Sequence, residues 1–220
     1  MIYLIGYMMG MMMIIKNAMR INTMKKLILL LLLLPLYSFG QGRDSVYIKT
    51  QIFEMVYSEI LEQPKWIKYR VQCAENSVSR KGLDFYKEKS YHTSDNADYV
   101  ANEWDKGHMA PAAAFGCDIN LLKQTFTYLN SALQHQSLNR GPWKELEESE
   151  RVMRQKADDI QVYIRVDFKP PLKKVPGGAT IPSGFYKKIH STKLGVCDCY
   201  YFNNVPPTTT VVNQFKVKCE

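Results

Sequence analysis

The segment WDKGHMAP, residues 104–111, sets His108 directly behind Asp105, Lys106 and Gly107. Gly107 loosens the backbone and Pro111 ends any helix, so the imidazole sits outside a periodic apolar pattern. A histidine near its ordinary pKa of ~6.5 takes up a proton at neutral pH and can serve as a general base. Phosphodiester hydrolysis asks for such a base, a cation to neutralise phosphate oxygens, and something to stabilise the leaving oxygen. Mg²⁺ prefers oxygen ligands and keeps several of its waters, so an amide and a carboxylate suffice to hold it. The segment TFTYLNSALQHQSLNRGPWKELE, residues 125–147, contains Asn130, Gln134, Asn139 and Glu147. Arg80 and Lys106 are candidates to meet phosphate oxygens, arginine through its fork and lysine as a point charge.

Taken singly, each of these residues has an ordinary structural role. His108 fits a hydrogen-bonded turn, Asn139 a helix N-cap, and Glu147 a solvated helix face. Asn130 and Gln134 fit loops, and Arg80 sits beside Lys81, which carries the same charge. His92, His135 and His190 belong to no spacing and are read as structural or surface residues, and CYYF (199–202) is read as core.

The elements that must position these side chains read as a mixed α+β sheet. KWIKYRVQ (65–72) alternates apolar and polar residues, the period-2 mark of a half-buried strand. IQVYIRVDF (160–168), IPSGFYKKI, CYYFNNV and the terminal VVNQFKVK read as further strands. Between them Trp143, Leu146, Met153 and Ala157 recur at helical spacing, with Pro142 suited to a first helical turn. Asn139 stands at the mouth of that helix and Glu147 two turns along. Residues 41–63 read as helical or irregular, 75–98 as polar and turn-rich, and INLLKQTFTYL as a short helix running into a strand or loop. Strands flanking a central helix imply α+β rather than alternating βαβ units.

The chain of 220 residues is 46% hydrophobic, enough for one domain with a real core and against disorder. The net charge of +8 is uneven: residues 1–40 hold four bases and no acid, leaving 25 bases and 21 acids elsewhere. A mildly basic body suits a polyanion without requiring one. MKKLILLLLLLPLYSFGQ (24–41) has the basic, apolar and small-residue order of a secretory signal, and its apolar run is short for a bilayer crossing. Residues 1–40 are therefore expected to be a signal region, with translation starting at Met24, and 41–220 the working domain, secreted or periplasmic with no membrane association after cleavage. Five cysteines in an exported chain favour disulfides. One bridge from Cys219 to Cys197 or Cys199 is expected, with an odd thiol left over.

With these residues in hand, the sequence resembles the DNA/RNA non-specific endonucleases of the ββα-metal superfamily, the group that includes endonuclease G. The family's Asp-Arg-Gly-His motif appears as DKGH, residues 105–108. Its second signature appears as Asn130, Gln134, Leu138-Asn139, Trp143 and Leu146-Glu147, with every interval kept. Arg80 with Phe85, and IPSGFYK at 181–187, extend the similarity over roughly residues 65–217. The resemblance implies a mixed, largely antiparallel sheet with a ββα-metal motif. It implies His108 as general base, Asn139 as the direct Mg²⁺ ligand (Mn²⁺ being the alternative ion), and Glu147 orienting metal-bound waters. Asn130 would support the site by hydrogen bonding, and Arg80 and Lys106 would meet the phosphate. The implied partner is DNA and/or RNA, contacted through backbone phosphate and so with little sequence preference.

The chain departs from the family at Lys106, which replaces arginine and loses its fork, and at Leu133, which stands where proline commonly precedes the glutamine. VDF lacks the glycine that often follows there, and FKVKCE comes where many relatives continue. The alternative reading is a nucleic-acid-binding protein of the same fold with degraded catalysis. Hydrolysis of some other phosphodiester, and an anchored structural protein resting on residues 1–36, are further readings.

Overall fold

Val46, Ile48, Phe53 and Met55 alternate with more exposed neighbours, and Thr50 folds the chain back between the two runs. Its hydroxyl accepts from the backbone N–H groups of Ile52 and Phe53, at 3.2 and 3.1 Å. In the computed structural model, which describes residues 42–220, Val46–Lys49 (β1) and Phe53–Ser58 (β2) therefore form an antiparallel hairpin. This corrects the expectation of helix or irregular chain over 41–63. Each strand is only four to six residues long, too short to establish its period without the partner.

Gln63–Arg70 (β3), Gln161–Asp167 (β6), Gly184–Ser191 (β7), Val196–Asn203 (β8) and Lys216–Val217 (β9) complete a seven-stranded sheet. Its order is β1-β2-β3-β6-β7-β8-β9, antiparallel at every pairing. Trp104–His108 (β4) and Ser131–His135 (β5) pair separately as a two-stranded ribbon. Two helices matter to the site's placement: Ile119–Gln124 (α1), capped by Asp118, and Lys144–Lys156 (α2). The architecture is α+β with a large antiparallel sheet, as the pattern implied. At the C-terminal end VVNQFKVK is mostly a 3₁₀ turn, Val212–Phe215, with only two residues paired in β9.

One face of the sheet is apolar and receives α2. Ile67, Val162, Ile164, Phe185, Ile189 and Phe202 are buried there against Trp143 and Leu146. The Trp143 ring lies 5.5 Å from the rings of both Phe185 and Phe202. Burying a leucine such as Leu146 contributes about 1.5–3 kcal/mol. The same interface also encloses a charge pair. Lys187 on β7 and Glu150 on α2 are 0% and 1% exposed, with Nζ 2.6 Å from Oε1. Tyr69 donates to the other carboxylate oxygen at 2.7 Å, and the ammonium lies 4.3 Å from the Trp143 ring centroid. Oε2 is thus hydrogen-bonded, whereas Nζ and Oε1 meet as an ion pair without hydrogen-bond geometry, and neither has another hydrogen-bond partner among the described residues.

The bridge expected from Cys219 is made to Cys199, and a second disulfide accompanies it. Cys199–Cys219 joins β8 to the segment after β9, and Cys73–Cys117 joins the end of β3 to the turn before α1, leaving Cys197 as an exposed thiol. The expected signal region lies outside the described residues. Among the described residues no helix is long and apolar enough to cross a membrane.

Because Cys73–Cys117 closes a loop of 44 residues, replacing both cysteines by alanine is expected to lower unfolding free energy by about 2–4 kcal/mol. Urea denaturation of the oxidised proteins measures this, and an unshifted midpoint would show that the loop is held by other contacts.

Candidate active site

DKGH is a strand, not the irregular stretch its composition suggested. β4 runs antiparallel to β5 with Asp105 opposite Gln134, Gly107 opposite Ala132 and His108 opposite Ser131. Gly107 is required by a close approach: a Cβ there would stand 2.6 Å from Cβ of the buried Gln134. Beyond β4 the chain is held by Asn130. Its Oδ1 accepts from Ala110 N–H at 2.8 Å, and its Nδ2 donates to the carbonyls of Ala110 and Thr125 at 2.9 Å. The whole Asn130 amide therefore fixes backbone immediately after His108.

His108 projects between two phenyl rings, with centroids 4.8 Å away for Phe85 and 5.1 Å for Phe126. Its Nε2 is buried with no hydrogen-bond partner among the described residues. Burial, assisted by the positive charge of Arg80, holds the imidazole pKa down to about 4, so the ring is neutral at pH 7. Arg80 itself is exposed, and its backbone carbonyl receives the Leu83 N–H.

Asp105, on the same strand, reaches the start of the helical region. It accepts from Asn139 Nδ2 at 2.9 Å and from both Nε and Nη2 of Arg140, at 2.8 and 2.6 Å. Asn139 is not an N-cap: it has helical φ and ψ and spends its amide nitrogen on Asp105. That bond turns Oδ1 away from the carboxylate. Residues Asn139–Trp143 form a kinked π-type segment with non-helical dihedrals at Gly141, after which α2 runs regularly. The expected helix, entered at Pro142, runs regularly from Lys144, and the chain between Asn139 and it is kinked at Gly141.

Glu147 lies one turn into α2, part-buried, with Oε1 receiving Trp143 Nε1–H at 2.8 Å. Burial pushes its carboxyl pKa up to about 7; Lys187 opposes the shift and Glu150 adds to it. Lys106 is engaged elsewhere. Its ammonium donates to Asn96 Oδ1 at 2.6 Å, lies 3.5 Å from Asp84, and stands 5.3 Å from the Phe85 and Tyr128 ring centroids. Phe85 touches both Lys106 and His108, so the upstream Arg-Phe segment folds over the hairpin.

The structure also assembles residues that sequence reasoning passed over: Asp105 and Arg140 at the helix entry, and Tyr69, Glu150 and Lys187 behind Glu147. A signal for the last two was present. Lys187 falls between Phe185 and Ile189 on the inward face of its strand, and Glu150 falls on the apolar stripe of α2. Among the described residues no three His, Cys, Asp or Glu side chains converge on a point. Asn139, tied to the hairpin through Asp105, and the desolvated Glu147 on α2 offer an amide oxygen and a carboxyl, hard-oxygen donors of the kind Mg²⁺ takes, and Mg²⁺ needs few protein ligands.

Comparison with known proteins agrees with this architecture. The profile of the DNA/RNA non-specific endonucleases matches residues 34–214. The chain is 27% identical over 136 residues to the mitochondrial nuclease EXOG of Danio rerio, covering 60% of this chain and 39% of that one. It is 26% identical over 192 residues to a nuclease of Serratia marcescens, covering 80% and 71%. The solved EndoG/EndoGI complex contains a chain of the same fold, with TM-score 0.68, 23% identity, and coverage of 78% of this chain and 80% of that one. The chain thus spans well under half of the first relative's length and about seven tenths of the second's.

The lowered histidine pKa has a consequence for stability. Between pH 6.5 and 4 the unfolded chain binds a proton at His108 that the folded chain refuses. Stability from this group is therefore present above pH 6.5 and lost as pH falls toward 4. In urea titrations at the two ends of this window, wild type is expected to lose on the order of 1–3 kcal/mol more than His108→Asn. Equal losses would contradict a buried neutral ring. Gly107→Ala is expected to cost about 1–3 kcal/mol by overpacking against Gln134, read as a lower melting temperature; an unchanged melt would contradict the close approach.

Proposed function

The chain belongs to the DNA/RNA non-specific endonuclease family, and on that premise we propose that it hydrolyses phosphodiester bonds of DNA and RNA. His108 is the general base and Asn139, with Glu147 behind it, holds a Mg²⁺ ion. The observation that carries this reading is the Asp105 junction, which ties the amide of Asn139 to the strand bearing His108. When bound, the metal ion supplies positive charge to the scissile phosphate and to the departing 3′ oxygen.

The remaining chemistry belongs to the side chains. His108, neutral in its phenylalanine slot, accepts a proton from the attacking water. The negative charge of an incoming phosphodiester raises the ring's proton affinity toward neutrality, since an opposite charge favours imidazolium. Arg80, exposed beside the ring, supplies a fork for the phosphate. Asn130 keeps the backbone beyond His108 in place and so fixes the ring's direction. Glu147 orients water, and its proximity to a cation favours the ionised form over the protonated one that burial promotes. Because these contacts address phosphate rather than base edges, little sequence preference is expected.

We further infer export to the cell exterior or periplasm. The two disulfides support it, since such bridges persist in oxidising compartments, as does the signal-like order of residues 24–41. The second reading, a nucleic-acid-binding protein without turnover, is favoured by one observation: Lys106 is already bound to Asn96 and Asp84.

Incubation of the protein with plasmid and with RNA, in Mg²⁺ or in EDTA, separates the two readings. Nicking and degradation abolished by EDTA are expected; binding without cleavage would establish the second reading. His108→Ala is expected to lower the cleavage rate about 10²–10⁴-fold while nucleic-acid affinity is retained. Asn139→Ala is expected to shift the Mg²⁺ titration of activity to higher concentration, and an unmoved titration would remove the residue from the metal.

A further inference from the structure

The face of the large sheet opposite α2 carries a pattern that the proposed cleavage site does not use. Strand alternation and register put Lys49, Glu54, Lys68, Tyr163 and Lys188 in one row across five strands. The neighbouring row runs Tyr47, Val56, Trp66, Arg165, Tyr186 and Tyr201. Lys49, Lys68 and Arg70 are exposed, Trp66, Tyr163 and Lys188 are half-exposed, and Tyr47 is 56% exposed. Two depressions, of 600 and 450 Å³, meet at Lys68, Tyr163 and Lys188.

The charge on this face is largely unspent. None of the ion pairs among the described residues uses Lys49, Lys68 or Lys188. Arg70 is held by Asp158, donating from Nε to its backbone carbonyl at 2.6 Å with the carboxylate 3.8 Å away, and Arg165 is taken up by Asp167 and Glu220. Of the acids in the two rows, Glu54 is bound by the Tyr47 hydroxyl at 2.7 Å. The aromatic rings form a connected series, with centroids 6.3 Å apart for Tyr47 and Trp66 and 6.2 Å for Trp66 and Tyr163. Lys68 Nζ stands over both Trp66 and Tyr163, at 5.5 and 5.9 Å. From strand spacing, Lys68 and Lys188 are about 10 Å apart with Tyr163 between them.

Uncompensated lysines interleaved with half-exposed rings are what a single nucleic-acid strand requires, phosphates on the cations and base faces on the rings. A duplex hides its base faces, and a broad sheet face does not enter a groove as a helix or two-stranded ribbon does. We propose that this outer face binds single-stranded nucleic acid, with Lys68 and Lys188 on phosphates and Trp66 and Tyr163 stacking on bases. It is a non-catalytic surface on the side of the sheet away from α2. The inference extends the nuclease reading by giving the polymer a second hold, but its binding does not need turnover.

The test is anisotropy of fluorescein-labelled oligothymidylate with the full protein in EDTA, where cleavage is stopped. The Lys68→Gln, Lys188→Gln double variant is expected to bind about tenfold more weakly. Its slope of log affinity against log salt should fall by about 1.4, two contacts at roughly 0.7 each. Trp66→Leu is expected to weaken binding about tenfold and abolish the quench of tryptophan emission, while Trp66→Phe keeps most of the affinity. Melting temperatures check that the variants fold, and cleavage of a small thymidine bis-ester in Mg²⁺ should be unchanged in all of them. Oligonucleotide affinity within about twofold of wild type in both the double variant and Trp66→Leu overturns the proposal. So does loss of heparin binding in the lysine variant with no effect of Trp66→Leu, which would identify a general polyanion patch. Failure of plasmid cleavage leaves this binding measurement intact, so the two readings fail separately.

Discussion

One carboxylate joins the two halves of the site. Asp105 leaves the strand that carries His108 and accepts hydrogen bonds from Asn139 and Arg140 at the entry to the helix that carries Glu147. β5 runs directly into the segment that carries Asn139, so Asp105 on β4 adds a side-chain tie to a connection the backbone already makes. With it, the direction of the Asn139 amide is set by a charge-assisted bond rather than by chance rotation. After the kink at Gly141, before Pro142, the chain lays Trp143 and Leu146 onto the sheet.

Behind the junction the electrostatics work against burial. Glu147 sits where its ionised form is disfavoured, with Glu150 adding repulsion and Lys187 answering it. Lys187 and Glu150 neutralise one another across the interface between β7 and α2, so removal of either would leave an uncompensated charge inside the core. In the proposed function this carboxyl and the Asn139 amide oxygen are the groups that would hold the divalent cation. The phenylalanine slot around His108 acts in the same sense, disfavouring the charged form of the ring.

Much of this was legible in the residues. The helix beyond Pro142 showed in its apolar spacing, β3 and β6 in their alternation, and the family in DKGH with the spaced Asn139 and Glu147. The β1–β2 hairpin was not, because its strands are too short for period 2 to stand out. The ribbon of β4 and β5 was hidden for a different reason: Ser131–His135 is buried on both faces, so no polar side marks it as a strand. The Asp105 bonds and the Cys73–Cys117 bridge join residues more than thirty positions apart, and no local pattern encodes such a meeting. Lys106 is the instructive case. Its place in the motif suggested a phosphate contact, whereas the fold surrounds it with Asn96, Asp84 and aromatic rings.

The central claim is spatial: a phosphate is gripped between the ring of His108 and a metal on Asn139. Diffraction from crystals of the protein grown with Mn²⁺ and a cleavage-resistant oligonucleotide tests it directly, because Mn²⁺ scatters anomalously. The account predicts an anomalous peak in direct bonding distance of Asn139 Oδ1, with a phosphate lying between that peak and the imidazole. A peak bound elsewhere, or a phosphate that approaches neither residue, would contradict it.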